Sequence, residues 1–411
     1  MKISSTLVSI TNFILVWAGT SSGLALPARP LYLTPRSTLS ASSRRSLTTT
    51  LLLNAPAFQD PSNSSNTIAA FEAFDFITQP NLTPITGLVN NTLNTLGLGD
   101  VGNKLTTAVD RLKLFAAVGV PAVHVDVDVA GCTGNGGGTV ELPRTGVKDL
   151  GVVSANVSIG SCAAASSRSI SASVANPATN ASTMIFPSLP SGFGIISDID
   201  DTIKVSDVLN TSLLIQNTLF NDPVPVSGMP ELYGALAESL AITSSSSPNE
   251  GGIIPPQFIY LSGSPIQLYP FLTSFLQSTF PPSTQGPLLL QNFSVTDPTL
   301  ILNSFGDGGS GQGKIDYKVG QINNINGMYP DKSFLAIGDS TEKDPEVYGL
   351  SFNIHGGSFI KCIWIHVVDG ANNTDARFAA AFEGVPQERI RLYKDEDIAG
   401  LKDVNVQGGS C

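Results

Sequence analysis

Charge is scarce in this sequence. Only 13% of its 411 residues are Asp, Glu, Lys or Arg. Gly, Ser, Thr and Asn fill the remaining polar positions, a balance unusual in a cytosolic protein and suited to an exported glycoprotein. Basic residues are the scarcer sign: 22 Lys and Arg against 33 Asp and Glu leave a formal net charge of −11. No Lys/Arg run offers a counterion-releasing surface, so no nucleic-acid partner is expected. An acidic chain can still take an anionic substrate if local cations, a metal ion among them, supply positive charge. Histidine is limited to His124, His355 and His366, too few to suggest a Ser-His-Asp hydrolase. Cysteine is limited to Cys132, Cys162, Cys362 and Cys411. Their spacing fits no zinc motif, and an even set in an exported chain reads as disulfides. Four cysteines allow three connectivities, of which proximity favours Cys132–Cys162 with Cys362–Cys411.

Long apolar runs are also lacking. The run Leu7–Ala18 is too short to span a bilayer comfortably. Lys2 precedes it and Gly23-Leu24-Ala25 follows as a small-x-small cleavage pattern, so residues 1–25 read as a signal peptide. A secreted, extracellular protein with no transmembrane segment in its mature form is expected. Eight N-x-Ser/Thr sequons, at Asn63, Asn81, Asn90, Asn156, Asn180, Asn210, Asn292 and Asn372, agree with export. Residues 26–66 are rich in Ser, Thr, Pro and Arg and read as a disordered leader or propeptide, with Arg44-Arg45 a candidate processing site.

Enough apolar material is present (42% of residues) for two domains. Thr67 to about Ala108 suggests one or two helices. Val123, Val125, Val127 and Val129 then alternate with His124, Asp126 and Asp128, as in a half-buried strand. Runs at Thr139–Leu142, Val152–Ile159, Ser169–Val174 and Thr183–Phe186 extend this into a small antiparallel, β-sandwich-like domain, giving a helical segment plus β domain over residues 67–190. His124, Asp126 and Asp128 read as a solvated face. From residue 191 to 411 the apolar runs Phe193–Ile196, Gln257–Leu261, Pro287–Leu290, Phe334–Ile337 and Phe359–Ile365 alternate with helical stretches. This is the βαβ rhythm of a Rossmann-like parallel sheet, and the fold class is α/β.

Chemistry gathers where those strands end. Ser197-Asp198-Ile199-Asp200-Asp201-Thr202 follows the first run, where open α/β sheets bind their ligands. A carboxylate pair of this kind supplies a nucleophile that attacks phosphorus and an acid/base that protonates the leaving alkoxide. A nearby Mg²⁺ would neutralise phosphate charge. A calcium loop is excluded, since Ile203 stands where Gly is needed and Leu209 where Glu is needed. The strand Phe258–Leu261 ends in Ser262. Lys318 borders the helical stripe Ile315, Val319 and Ile322, from which it can clamp phosphate. Phe334–Gly338 runs into Asp339, with Asp344 five residues on, two oxygen donors for a hard cation. Gly306-x-Gly308-x-x-Gly311 matches a dinucleotide pattern but reads as a loop.

The order Asp-x-Asp-x-Thr, strand-Ser, Lys, Gly-Asp-x-x-x-x-Asp resembles that of the haloacid dehalogenase-like phosphatases. A closer likeness lies in Asp198-Ile199-Asp200-Asp201-Thr202-Ile203-Lys204, in Val226-x-Gly228-Met229-Pro230-Glu231-Leu232-Tyr233, in Tyr260-x-Ser262-x-Ser264-Pro265-x-Gln267-Leu268-Tyr269-Pro270 and in Gly338-Asp339-Ser340-x-x-x-Asp344-Pro345-Glu346-x-Tyr348. These resemble the catalytic domain of the fungal actin-patch-associated phosphatidate phosphatase family, over roughly Phe193 to Val368. The resemblance implies a Rossmann-like core, Mg²⁺ and conversion of phosphatidate to diacylglycerol. It makes Asp198 the nucleophile and Asp200 the general acid/base. Thr202, Ser262 and Lys318 bind phosphate. Asp198, the Asp200 carbonyl and Asp339 hold the metal, with Asp344 supporting. The export signal, and Trp364-Ile365-His366-Val367 where the family often has basic residues, depart from that pattern. A phospholipid or a small soluble phosphate ester therefore both stand as substrate, with peripheral membrane contact for the former. A catalytically silent lipid- or surface-binding glycoprotein is the third alternative.

Overall fold

The computed structural model describes residues 48–79, 81–95, 102–133, 138–162, 169–175, 181–243, 253–292 and 311–411. The expected signal peptide, Arg44-Arg45, Asn180, Gly306 and Gly308 lie outside these residues.

The disordered leader does not reach residue 66. Thr49–Leu52 (β1), Ala55–Asp60 (β2) and Asn63–Ile77 (β3) are strands. β2 lies inside a sheet and buries Ala55, Ala57 and Phe58. Such small and mixed residues carry no period-two signal, which is why the stretch looked structureless. β3 also replaces the helix expected from Thr67. Its Thr67, Ala69, Phe71 and Ala73 are buried on one face, while Ile68, Ala70 and Glu72 are half-buried on the other. With both faces covered the polar alternation disappears, and alanines mimic a helix. Two helices do follow, Thr83–Thr95 (α1) and Gly102–Leu112 (α2).

The strands Val118–Gly119 (β4), Asp126–Val129 (β5), Cys132–Thr133 (β6), Thr139–Glu141 (β7), Val152–Cys162 (β8), Ile170–Val174 (β9) and Ser182–Pro187 (β10) complete a ten-stranded sheet. Its main path is β6-β8-β3-β2-β10-β9-β5-β7. The expectation of an antiparallel domain is corrected here. β10 runs parallel to β2, pairing Ile185 with Ala55, so the sheet is mixed. A disulfide joins Cys132 to Cys162, which face each other across β6 and β8.

The second half contributes Ser191–Ser197 (β11), a small pair Ile242–Thr243 (β12) and Ile253–Ile254 (β13), then Gln257–Pro265 (β14), Leu288–Gln291 (β15), Asp331–Asp339 (β16), Ile360–His366 (β17) and Ile390–Tyr393 (β18). Six of these form an all-parallel sheet in the order β15-β14-β11-β16-β17-β18. Its apolar runs are buried on both faces. Ile195, Tyr260, Leu335, Ile337 and Trp364 enter one core, and Ile196, Ile259, Leu261, Phe334, Ala336 and Ile363 the other. The first core is closed by Met229–Ser239 (α4) and Tyr269–Thr279 (α5). The second is closed by Gly311–Met328 (α6), Asp344–His355 (α7) and Asp375–Ala381 (α8). Counting its strands from β11, the order is 3-2-1-4-5-6, which reverses between β11 and β16 and opens a crevice at their carboxyl ends.

The two sheets are not separate bodies. Leu53, Phe74 and Phe76 belong to the first of these cores and Phe58 to the second. Tyr329 Oη donates to the Ala57 carbonyl at 3.0 Å, and Tyr269 Oη accepts from Asn54 N at 2.7 Å. The second disulfide, Cys362–Cys411, ties the last described residue to β17.

Candidate active site

The crevice between β11 and β16 is lined with carboxylates. Asp198 follows β11, and its N–H donates to Ile337 O on β16 at 2.9 Å. Asp339 ends β16, and Asp344 opens α7. One oxygen from each of these three lies within 4.8 Å of the others, and all three side chains are buried. Gly338 makes the closeness sterically feasible, because a Cβ there would sit 2.5 Å from Asp344 Oδ2. Lys318, from α6, reaches in with its Nζ 2.7 Å from Asp198 Oδ1 and 2.5 Å from Asp344 Oδ1.

One ammonium among three buried carboxylates leaves a deficit of positive charge. Burial pushes Asp198 well up, with Asp344 and Asp339 adding to it and Lys318 opposing. Burial and the Asp344 carboxylate push Asp339 up likewise. Burial opposes the charge of Lys318, but Asp198 and Asp344 overcome it and hold its protonation well above the ordinary range. The donors are all hard oxygens, and a small divalent cation fits the set: Asp198 and Asp339 would hold it and Asp344 would brace them.

Asp200 is held in a different way. Burial raises it, yet the Lys204 ammonium, with hydroxyls of Ser206 and Ser264, brings it down to about 2. Lys204 Nζ lies 2.9 Å from Asp200 Oδ1, and Ser206 Oγ donates to the same oxygen at 2.6 Å. Asp200 Oδ2 accepts from Ser264 Oγ at 3.1 Å and from Ser262 Oγ at 3.4 Å.

Residues 193–367 match the family described as phosphatidate phosphatase APP1, catalytic domain. A 162-residue stretch is 31% identical to the phosphatidate phosphatase APP1 of Saccharomyces cerevisiae, covering 39% of this chain. The family match covers less than half of the chain. The matched stretch spans only 23% of the yeast protein's length.

Within residues 193–367, the candidate site residues of the sequence fall together. Asp198, Asp339 and Asp344 form the cluster. The Asp200 carboxylate turns away toward Lys204, Ser206, Ser262 and Ser264. Thr202 Oγ1 donates to Asp198 Oδ2 at 3.1 Å and lies 3.5 Å from Asp339 Oδ2, bracing carboxylates from within the core. Ser262 accepts from Ser264 N at 3.0 Å. His124, by contrast, pairs with Glu141 and Arg144 on the N-terminal sheet, apart from any acid cluster among the described residues.

Several supporting residues gave little sign in the sequence. Asp201 adopts φ +54°, and its carboxylate accepts from the N–H groups of Ser206, Asp207 and Val208 at 2.7–2.8 Å. It thereby staples the loop that follows Asp198 and Asp200. His366 Nδ1 lies 2.8 Å from the Asp201 carbonyl and Nε2 2.8 Å from Asp395 Oδ1. Arg377 donates to the carbonyls of Ser340 and Glu342, both at 2.6 Å, and to Glu346, fixing the Asp339–Asp344 loop. The acid-dense DIDDTIK run and its lysine were the only available signals for Asp201 and Lys204. The stretch Ile203–Val226, which follows the acidic run, divides its apolar side chains between core and surface. Ile203, Leu214, Ile215, Leu219 and Phe220 are core, whereas Val205, Leu209, Leu213 and Val224 are exposed.

Proposed function

We propose that this protein is a secreted, Mg²⁺-dependent, haloacid dehalogenase-like phosphatase that hydrolyses phosphatidate to diacylglycerol through an aspartyl-phosphate on Asp198. The observation that carries this reading is the buried cluster of Asp198, Asp339 and Asp344 with Lys318, at the reversal point of a parallel sheet. Bound Mg²⁺ would supply charge neutralisation of the phosphoryl oxygens and of the carboxylates. Asp198 attacks phosphorus, and Lys318 and Thr202 hold its carboxylate in place. Asp200, beside Ser262 and Ser264, gives a proton to the departing oxygen and takes one from the water that cleaves the acyl-phosphate. Lys318 also offsets charge on the phosphoryl group as it moves.

The family likeness supports the lipid, as do the exposed aliphatic side chains at 205, 209, 213 and 224 beside the site. Export is supported by two disulfides and by the exposure of all seven described sequon asparagines. Among the described residues no helix is long and apolar enough to cross a membrane. The test is phosphate release by the purified protein from phosphatidate and from soluble esters, with Mg²⁺ and after chelation. Asp198→Asn should abolish release from every ester, and turnover near the wild-type rate in that variant would remove the mechanism.

A further inference from the structure

Lys204 is only 1% exposed, and a buried ammonium costs several kcal/mol unless well paired. Its backbone is fixed on both sides: Lys204 N donates to Ile199 O at 3.0 Å, its carbonyl accepts from Asp201 N at 2.8 Å, and it bridges to Pro225. The side chain then makes two contacts, with Asp200 Oδ1 at 2.9 Å and with Ser206 Oγ. Ser206 Oγ in turn donates to the same Asp200 oxygen. The two oxygens of Asp200 are therefore inequivalent. Oδ1 is closed by an ammonium and a hydroxyl, while Oδ2 faces the end of β14, where Ser262 and Ser264 stand.

We propose that Lys204 is a positioning residue that clamps Asp200 Oδ1 so that Oδ2 alone faces the departing oxygen of the substrate. The terminal torsion of an aspartate is soft and two-fold. Without a clamp the proton-carrying oxygen would spend time turned away, and proton transfer requires hydrogen-bond reach. In the step served, Asp198 bonds to phosphorus as the bond from phosphorus to the leaving oxygen breaks. The proton that the phosphate monoester brings as its monoanion passes by way of Asp200 Oδ2 to that oxygen. In the return step water attacks phosphorus, the Asp198–phosphorus linkage breaks, and the water's proton returns to Oδ2. Lys204 touches neither substrate nor reacting atom and acts only through Asp200.

The inference rests on the phosphatase reading, and the leaving group separates the two. Phosphatidate departs as an alkoxide and needs a proton, whereas p-nitrophenyl phosphate departs as a stable phenolate and needs none. Lys204→Met should lower kcat/KM on phosphatidate by roughly 10²-fold or more, and on p-nitrophenyl phosphate by less than about fivefold. In an Asp200→Asn background, Lys204→Met should add no further loss. Should the methionine variant fail to fold, Ser206→Ala removes the other half of the clamp and should show the same selectivity with a smaller fall. A parallel fall on both esters, or an undiminished loss in the Asp200→Asn background, would overturn the proposal and leave the phosphatase reading intact. Absence of turnover on either ester by the wild-type protein would overturn both.

Discussion

Asp339→Asn, in the proposed cation site, should stabilise this protein when cations are absent. Asp339 is fully buried, and its oxygen lies within 4.8 Å of those of Asp198 and Asp344. At an effective dielectric of about 20, two unit charges at that distance repel by about 3 kcal/mol. Proton uptake relieves part of this, so a net gain of about 1–2 kcal/mol is expected from the amide. The amide oxygen can still accept from Thr341 N, 2.6 Å from Oδ1. For a chain of this size the gain corresponds to about 1–3 °C in Tm. Burial and the neighbouring carboxylates raise Asp339, so the folded state keeps a proton that the unfolded chain has lost. Cation-free stability should therefore fall as pH rises above about 4, and fall less in the variant. On the proposed Mg²⁺ dependence, the ion at about 100 times its Kd should add about 2.7 kcal/mol to the wild type, and the variant should lose most of that response. Thermal unfolding followed by circular dichroism, in chelator and across a Mg²⁺ titration, reads both quantities. A cation-free variant that melts below the wild type, or one that keeps the full Mg²⁺ response, would refute the charge-deficit argument.

Burial alone pushes Glu72 on β3 from 4.5 up to about 7, so its ionisation opposes folding between those values. Glu72→Gln should raise stability at pH 8 by on the order of 2 kcal/mol and change it little at pH 4.5, as read by denaturant unfolding at the two pH values. Leu213 is 38% exposed and Leu214 7%. Leu213→Ser should lower activity on phosphatidate more than on p-nitrophenyl phosphate with little change in Tm, whereas Leu214→Ser should cost about 2–4 kcal/mol and affect both esters. Cys411→Ser opens the loop closed by Cys362, a separation of 49 residues. It should cost up to about 4 kcal/mol in chemical unfolding. Peptide mapping of the unreduced wild type should find no alkylatable thiol.

The parallel sheet was legible because its strands are continuous apolar runs that stop at a polar side chain, as Phe193–Ile196 does before Asp198 and Phe334–Ile337 before Asp339. Burial on both faces writes itself into sequence as such runs. Lys318 was legible because it interrupts a helical stripe. β1 to β3 were not, since Ala55, Ala57, Ala69 and Ala73 pack in a sheet as readily as they would in a helix, and only the partner strands decide. β18 escaped for a related reason: two of its four residues, Arg391 and Leu392, are exposed at the edge of the sheet. The roles of Lys204, Asp201 and Arg377 depend on chain segments far from their own positions, and no spacing rule reports that. Thr202 shows the same limit, since no spacing rule reports that its hydroxyl reaches carboxylates of both Asp198 and Asp339.

The cores shared by the two sheets bear on what counts as a unit in this chain. The stretch that matches other proteins runs from 193 to 367. Yet the surfaces of that stretch are covered by Phe58, Phe74 and Phe76 from before it and by Tyr393, Ile398 and Leu401 from after it. Cut out at its borders of similarity, the matched segment would expose those apolar faces to water and lose the partner of Cys362. Inheritance and folding thus divide this polypeptide at different places: the part that recurs elsewhere needs its less familiar flanks in order to stand.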